Sequence, residues 1–296
     1  MENIKQAKTV DEQISILRKR GMKIEDESKA KEVLMDIGFY RLGFYSFPFE
    51  KTYPDLDNRT HLFSDGVNFN DILSLYYLDS DLRRVIMHYI NRIEVNFRTY
   101  LTYRVSNEYK NDPSWFINPQ WVTQKYINDF EKKVYSKMRS NPVIARHHKN
   151  HPNDQYAPAW KTIEFMTLGN VFSLYNNLKD PNLKTQIAWH YKCNSKVFYS
   201  YMATIRVIRN SCAHGACIYN INLPLGIKKG PAGNFGNQAY KHNICGAIKV
   251  INYVLENISI NRSKEMDDDI NKLLANVKGS RLLKEAILKS SGLQVY

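Results

Sequence analysis

The sequence predicts a mostly α-helical protein, and three observations support this fold class. Apolar residues recur mainly at three- and four-residue steps along the 296-residue chain, which is the period of amphipathic helices. Few segments show the two-residue alternation that is typical of strands. Hydrophobic residues form 43% of the chain and charged residues 24%, so a globular core can form.

The first predicted elements are two helices with recognisable ends. The segment TVDEQISILRKRGM predicts a helix that Thr9 or Asp11 caps and Gly21 ends. A second helix is expected to end near Gly38, and an aromatic-rich segment follows until Pro48 interrupts it.

The longest regular element covers residues 69–109, where apolar spacing predicts one or two long amphipathic helices. Glu94 lies on the apolar row of this element, and a carboxylate in that position is costly unless it is paired. Arg98 follows four residues later, so a local ion pair is one explanation. The other explanation is an orienting carboxylate beside a functional site, and the sequence leaves both open.

Residues 111–157 are predicted to be loop-prone because they contain several prolines, and they are strongly basic. Basic side chains can neutralise nucleic-acid phosphates, although a solvated surface without a ligand is the alternative. The candidate RNA-binding residues are Lys132, Lys133, Lys137, Arg139, Arg146 and Lys149, with Lys228 and Lys229 in the later Gly-rich segment LPLGIKKGPAGNFGNQ, a predicted loop or hairpin.

Further helices are predicted after Pro158, from Asn194 or Ser195 to Gly215, and near 243–258 and 264–290. These elements suggest three parts of the chain. They are an N-terminal helical and aromatic-rich segment at 1–62, a helical core at 63–260 that carries the basic insertion at about 111–157, and a C-terminal helical segment at 261–296.

The stretch IRVIRNSCAHGAC, residues 205–217, contains the strongest candidate for chemistry. Arg209 continues an apolar row of its helix, so it must meet an anion, either a carboxylate or a phosphate. Glu94 is a comparable exception, and we expect the two side chains to face each other. His214 follows five residues after Arg209, about 140° away on a continuous helix, so it can approach Arg209 only because Gly215 ends the helix.

An arginine and a histidine in this arrangement favour RNA cleavage. A guanidinium can hold a phosphate by two hydrogen bonds, and histidine, with an ordinary pKa of about 6.5, can transfer protons. We expect the ribose 2′-OH to attack the adjacent phosphate while Arg209 stabilises the developing charge and His214 moves the proton. No cofactor and no metal are predicted, since the sequence has no carboxylate cluster suited to two-metal catalysis.

The charge of the whole chain points to a polyanionic partner. The formal net charge is +13, which favours nucleic acid, whereas a basic surface without a specific ligand is the alternative. The N-terminal residues have no signal-peptide core, and no stretch has the ~18 apolar residues that cross a bilayer. Together with the four scattered cysteines, this predicts a cytoplasmic protein without a membrane partner.

Several stretches resemble known families. The pattern R-N-x-x-x-H at residues 209–214 resembles the R-x4–6-H signature of HEPN-domain ribonucleases. Four other stretches resemble, in the same order, the Abi-like (AbiD/AbiF-type) family of bacterial abortive-infection proteins, and the resemblance spans residues ~9 to ~215. They are EQISILRKRGMKIED, IGFYRLGFYSFPFE, LDSDLRRVIMHYINRIEVNFRTYLTYRV and APAWKTIEFMTLGNVFSLYNNL.

The resemblance implies a HEPN-like helical bundle and an antiphage or toxin-type ribonuclease that acts without a metal. It implies that Arg209 and His214 are the catalytic pair and that Asn210 accompanies them. HEPN ribonucleases usually pair two motifs, and this chain has one, so a homodimer is implied. The supporting residues are Glu94, Arg98 and Arg206, while Asp79 and Arg83 match charged family positions of unassigned role.

Two functions remain open at the level of the sequence. The first is an endoribonuclease of abortive-infection type with RNA as substrate, kept silent by an antitoxin or triggered by phage. The sequence leaves open whether the restraining partner is a structured non-coding RNA or another protein. The second is a non-catalytic module that binds RNA or another partner through the same basic groove. A metal or cysteine enzyme has little support, because Cys212 lies on an apolar row and no ligand cluster accompanies it.

Overall fold

A computed structural model describes residues 6–235 and 238–295 of the chain; residues 1–5, 236–237 and 296 lie outside the described residues. Within these ranges the protein has fourteen α-helices, four short 3₁₀ helices and isolated bridges, but no strand. The fold is therefore mostly α, as predicted. The helices are α1 (Val10–Lys19), α2 (Glu27–Asp36), α3 (Phe39–Ser46), α4 (Phe69–Glu108), α5 (Gln124–Lys133), α6 (Pro142–Asn150), α7 (Ala159–Thr162), α8 (Leu168–Asn177), α9 (Pro181–His190), α10 (Ser195–Ala213), α11 (Gln238–His242), α12 (Ile244–Glu256), α13 (Ile260–Ala275) and α14 (Arg281–Ser291).

Helix α4 organises the molecule. It runs for 40 residues without a break, which corresponds to a length of about 60 Å. It packs against α10, α12 and α13, and these four helices form a bundle in which α10 also contacts α12, and α12 contacts α13. The apolar row that predicted α4 is the row that the bundle buries, including Ile86, Ile90, Phe97 and Leu101.

Helix α3 packs against α4, and α1 packs against α2. Thr9 caps α1 in a capping box with Glu12, and Gly21 has a positive φ of 95°, so both predicted ends are confirmed. The aromatic-rich segment is itself helical: α3 continues into a 3₁₀ turn at Phe47–Phe49, where Pro48 lies.

The prediction that residues 111–157 are loop-prone is only partly correct. This segment contains α5, α6 and two 3₁₀ turns. Of its four prolines, Pro142 lies in the first turn of α6, where its missing N–H costs nothing, whereas Pro113, Pro119 and Pro152 lie in turns. Trp115 and Phe130 from this segment belong to the common core, so the insertion is packed against the rest of the protein.

Other boundaries differ in detail. The helix expected after Pro158 is divided into α7, a 3₁₀ turn and α8, because Met166 has an extended backbone and Thr167 caps a new helix. Helix α9 had no counterpart in the predicted elements. In the predicted loop at 223–238, Gly230 and Gly233 form an isolated bridge, while residues 236 and 237 lie outside the described residues. The three-part division of the chain stays a prediction.

Candidate active site at the end of α10

Helix α10 carries the candidate residues to its C-terminal end. Asn194 caps the helix through Val197, and the last helical residue is Ala213. The backbone N–H of His214 donates to the carbonyl of Asn210 at 3.0 Å, which makes His214 the C-cap. Gly215 then adopts a φ of 65°, the left-handed conformation that commonly ends a helix. The predicted N-cap at Asn194 and the predicted stop at Gly215 are both confirmed.

Glu94 on α4 connects the candidate site to two neighbouring helices, α8 and α10. Its carboxylate is buried, with the side chain 10% exposed. Oε1 accepts a hydrogen bond from Nη2 of Arg98 at 3.1 Å and from the backbone N–H of Leu168 at 3.1 Å. Oε2 accepts a hydrogen bond from Nε of Arg209 at 3.3 Å. The local ion pair and the contact with Arg209 therefore exist together, one on each carboxylate oxygen.

Arg98 is anchored on its other side as well. Its Nη2 also donates to the carbonyl oxygen of Met166 at 3.0 Å, and Nη1 lies 3.6 Å from Oε1 of Glu164. Because the side chain is only 13% exposed and engaged on both terminal nitrogens, Arg98 supports Glu94 and has little capacity left for an external anion.

Arg209 is held differently. Only its Nε contacts Glu94, while its two terminal nitrogens have no hydrogen-bond partner in the described part of the chain. The side chain is 24% exposed, so solvent reaches it. A guanidinium fixed by Nε presents its remaining N–H groups in a defined direction, which is the geometry that holds a phosphate or carboxylate by two bonds.

Asn210 and His214 are exposed, and neither side chain has a hydrogen-bond partner among the described residues. Both side chains are thus free to contact a ligand. Arg206 is exposed one turn earlier on the same helix, where its guanidinium lies 5.9 Å from the centroid of the Phe172 ring.

The turn after His214 is fixed by residues that no motif marked. Arg41 on α3 donates from Nη2 to the carbonyl oxygen of Gly215 at 2.5 Å. The hydroxyl of Tyr219 donates to the carbonyl oxygen of Phe44, also on α3, at 2.7 Å. Sequence reasoning missed these contacts because the partners are more than 170 residues apart in the chain.

Asp79 on α4 has a structural position beneath this turn. It is fully buried, and its Oδ1 accepts the backbone N–H groups of Ile218 at 3.0 Å and Tyr219 at 2.7 Å. Oδ2 accepts the hydroxyl of Tyr45 at 2.8 Å and forms an ion pair with Arg83. Burial first, and then the charge of Asp79, raise the pKa of Tyr45, so its hydroxyl stays protonated and remains a donor.

The solvent face of α10 leads from its N-terminal half to the candidate site. Lys196, Tyr199, Arg206 and Asn210 are all exposed, and their spacing puts them within one face of the helix. Lys228 lies beside the beginning of this face, in a shallow depression that Lys184, Lys196 and Tyr199 also line. Sequence reasoning selected Lys228 but missed Lys184 and Lys196, since neither lies in a basic run.

The predicted RNA-binding residues are all on the surface. Two of them have acidic partners: Lys133 pairs with Asp129 at 2.8 Å, and Arg139 pairs with Glu131 at 3.0 Å. The other six have no ion pair among the residues that the structure describes, and these are Lys132, Lys137, Arg146, Lys149, Lys228 and Lys229.

The cysteines near the site have no activated thiol. All four cysteines are free, and burial raises the pKa of Cys212 to about 12, which suppresses thiolate formation. Burial also raises the pKa of Cys217. Within residues 6–235 and 238–295, no group of three or more His, Cys, Asp or Glu residues is arranged to hold a metal ion. No described helix has the length and apolarity needed to cross a membrane.

Comparison with known proteins gives one match. No curated protein and no solved structure matches the chain. The family model described as Abi-like protein matches residues 32–220, more than half of the 296-residue chain, and its span includes Glu94, Arg209 and His214. This match suggests a role in abortive infection. With its helical fold and the matched span, the chain belongs to the Abi-like protein family.

Proposed function

We propose that this Abi-like protein is a metal-independent endoribonuclease whose active site contains Arg209, His214 and Asn210. The observation that carries the proposal is the orientation of Arg209. Buried Glu94 holds its Nε, its two terminal nitrogens are open to solvent, and the exposed His214 follows at the end of the same helix.

The chemistry follows from these groups. The ribose 2′-OH loses its proton and attacks the adjacent phosphorus, and the bond to the 5′ oxygen of the next nucleotide breaks. Arg209 stabilises the extra negative charge on the phosphorane by two N–H donors. The products are a 2′,3′-cyclic phosphate and a 5′-hydroxyl group. Because the nucleophile belongs to the substrate, the reaction needs a proton acceptor and a proton donor rather than a metal-bound water.

Each chain contributes one histidine, His214, to the proposed active site, and it can serve as proton acceptor or as proton donor in a given turnover. Two protomers, each contributing His214, would supply both roles at one time, which supports a homodimer as the active species. The specific activity is therefore expected to rise with protein concentration, in step with the dimer fraction measured by light scattering.

An exposed surface that suits an RNA strand leads along α10 to the candidate site. The exposed face of α10, with Lys196, Tyr199, Arg206 and Asn210, combines cations for phosphates with an aromatic ring for base stacking. The exposed lysines and arginines of the 111–157 insertion extend the available positive surface. These features support RNA as the substrate.

The test is cleavage of single-stranded RNA in EDTA by wild-type protein and by Arg209→Ala and His214→Ala. We expect each substitution to lower the rate at least on the order of 100-fold, because each removes transition-state stabilisation. RNA affinity should change far less. His88→Ala, at an exposed position of α4, is the matched control and should cleave like the wild type.

A non-catalytic RNA-binding module is the competing function, and the same experiment separates the two. Wild-type protein that binds RNA but cuts none, as a verified dimer, would support the binding module. Cleavage that persists unchanged in both Arg209→Ala and His214→Ala would eliminate the proposed active site.

A further inference from the structure

A cavity of about 530 Å³ lies between the N-terminal helices and the beginning of α4. Its volume is in the range of sites that bind small molecules. The end of α1, one side of α3 and the segment around residues 50–61 form its walls. Neither Arg209 nor His214 is among its lining residues, so the cavity is separate from the candidate active site.

The cavity lining includes polar and positively charged residues. Glu50 is 4% exposed, and its carboxylate accepts two hydrogen bonds from Arg59, from Nε at 3.0 Å and from Nη2 at 2.5 Å, and also lies 3.3 Å from Nδ1 of His61. Arg20 also lines the cavity, and its guanidinium has no partner within the described ranges. The lining thus contains two arginine charges, of Arg20 and Arg59, and one carboxylate charge, of Glu50. Its net charge is positive, which favours binding of an anion.

The backbone of His61, which also lines the cavity, has an unusual conformation. Its φ is 59°, a left-handed backbone that non-glycine residues rarely adopt. Such conformations concentrate at ligand-binding positions, where the surroundings enforce them. The conformation accompanies a defined ring contact: Nδ1 lies against Glu50, while Nε2 is without a partner in the part of the chain that the structure describes.

The cavity lining also contains apolar and aromatic residues. Phe39 and Leu42 from α3 contribute to the wall, and Tyr40 and Phe44 form the rim. Tyr40 is 81% exposed and Phe44 45%, and their rings meet edge to face at 5.3 Å. Large exposed aromatic rings beside a cavity mark a binding surface and can stack on a planar base.

Helix α3 connects this cavity with the candidate active site. Phe44 lines the cavity with its side chain, while its carbonyl oxygen accepts the hydroxyl of Tyr219. Arg41, on the same helix, donates to the carbonyl oxygen of Gly215, directly after His214. A ligand that moves α3 therefore moves the turn at residues 215–219.

We propose that this cavity binds a small nucleoside phosphate, with the phosphate at Arg20, Arg59 and His61 and the base against Tyr40 and Phe44. Occupation of the cavity changes the turn at 215–219 through α3. The binding site is independent of the proposed ribonuclease activity, whereas the regulatory consequence rests on that activity.

The test is calorimetric titration of the full chain with the four common ribonucleoside 5′-monophosphates and triphosphates, with inorganic phosphate and free nucleosides as partial ligands. We expect a nucleotide to bind and each partial ligand to bind more weakly. A 5′-phosphorylated tetranucleotide distinguishes the source: tighter binding of the mononucleotide identifies a free metabolite, and tighter binding of the tetranucleotide identifies an RNA end. Absence of binding by every nucleotide would overturn the proposal.

Variants locate the ligand. Arg20→Ala and His61→Asn should each weaken binding about tenfold, the usual effect of one lost charge-assisted hydrogen bond. Asparagine tolerates a positive φ, so His61→Asn is expected to fold. Lys19→Ala, an equal loss of charge at the adjacent exposed residue, and Arg209→Ala should leave the affinity unchanged. An equal loss in Lys19→Ala or Arg209→Ala would contradict this location.

Hydrogen exchange tests the connection without measuring RNA cleavage. The amide groups of Ile218 and Tyr219, which donate to Asp79, should exchange several-fold more slowly or faster when nucleotide binds. The change in exchange rate should persist in Arg209→Ala. Failure of the proposed connection through α3 is therefore distinguishable from failure of the proposed ribonuclease activity. Binding without any change at residues 215–219 would overturn the connection through α3.

Discussion

Glu94 makes the contacts on which the candidate site depends. A buried carboxylate needs positive partners, and Glu94 has one on its own helix and one on α10. Since Arg98 is also fixed to Met166, the Glu94 carboxylate has a defined position. The hydrogen bond from Nε of Arg209 to this carboxylate fixes the Arg209 side chain in turn. We therefore propose that Glu94 is a positioning residue whose effect on RNA cleavage passes through Arg209.

Substitution Glu94→Gln tests this role. The amide keeps the side-chain shape but loses the charge, so Arg209 is held less well, and misplacement of such a group costs on the order of 10- to 100-fold in kcat. KM should change little, because Arg209 remains. Glu164→Gln, at the exposed partner of Arg98, is the control and should be near wild type. Equal losses in the two variants, or a loss confined to KM, would argue against positioning.

Asp79 has a different role at the same scale. It joins α4, Tyr45 and the turn at Ile218 and Tyr219 through one buried carboxylate. Removing it leaves two backbone N–H groups, a hydroxyl and the guanidinium of Arg83 without their partner.

We therefore expect Asp79→Ala to lower the free energy of unfolding by about 3–5 kcal/mol. Asp81→Ala removes a carboxylate that is 47% exposed and paired with Arg84, and its effect should stay under about 1 kcal/mol. Urea denaturation followed by circular dichroism measures both. Similar losses in the two variants would contradict the structural role of Asp79.

The sequence could predict some of these contacts but not others. Glu94 and Arg209 were both polar exceptions on apolar helical rows, so their pairing followed from the cost of burying a lone charge. The partners of Asp79 include backbone amides 139 and 140 residues away, and backbone amides carry no sequence signal. The contact of Arg41 could not be predicted either, because its acceptor is the backbone carbonyl of Gly215.

At the scale of elements, helix ends were more predictable than the segments between helices. Thr9, Asn194 and Gly215 could be recognised because their side chains or conformations satisfy terminal backbone groups. The insertion at 111–157 was misjudged because prolines indicate both loops and helix starts. Burial of Trp115 and Phe130 makes its helices part of the core, which is a tertiary effect.

Helix α6 contains a histidine that makes stability depend on pH. His147 is buried, and its ring stacks on His151 at a centroid distance of 4.8 Å. Burial, followed by the nearby charge of Lys161, lowers the pKa of His147, and burial also lowers the pKa of His190. The unfolded chain, where histidine has a pKa of about 6.5, then binds more protons in acid than the folded protein.

The stabilising effect of the neutral histidines is complete above about pH 6.5 and is lost as the pH falls toward their folded-state pKa values. We expect the urea midpoint to decrease between about pH 7.5 and 5.5. His147→Phe keeps a ring in the stack and should reduce this decrease, whereas His88→Phe, at an exposed position, should not. An unchanged pH dependence in His147→Phe would contradict the assignment.

The whole molecule combines a packed helical bundle with a strongly basic surface. The net charge of +13 could be read from composition, but the distribution of that charge could not. Lys132 and Lys149 on the insertion are exposed and have no ion pair within the described ranges, and a separate basic face runs along α10. Helical spacing shows which residues of α10 share a face, but it does not show that this face is exposed to solvent.

This surface predicts salt-dependent RNA binding. The slope of log Kd against log salt concentration should fall by about 1.4 in the double variant Lys132→Ala and Lys149→Ala, if each lysine neutralises one phosphate of a single strand. Protein prepared in low salt should carry nucleic acid that high salt removes. Lys19→Ala with Lys264→Ala is a matched control on other surfaces. An equal change of the salt-dependence slope in this control variant would contradict a specific role of the insertion in RNA binding.

The central claim is that Arg209 and His214 cleave RNA by attack of the 2′-OH. Its most direct test is mass spectrometry of the ends formed when the dimeric protein is incubated with a defined RNA in EDTA. We expect 2′,3′-cyclic phosphate and 5′-hydroxyl ends from the wild type, and uncut RNA both with His214→Ala and with a substrate that lacks the 2′-OH at the cleaved position. Cleavage of the 2′-deoxy substrate, or the same ends from His214→Ala at the wild-type rate, would contradict it.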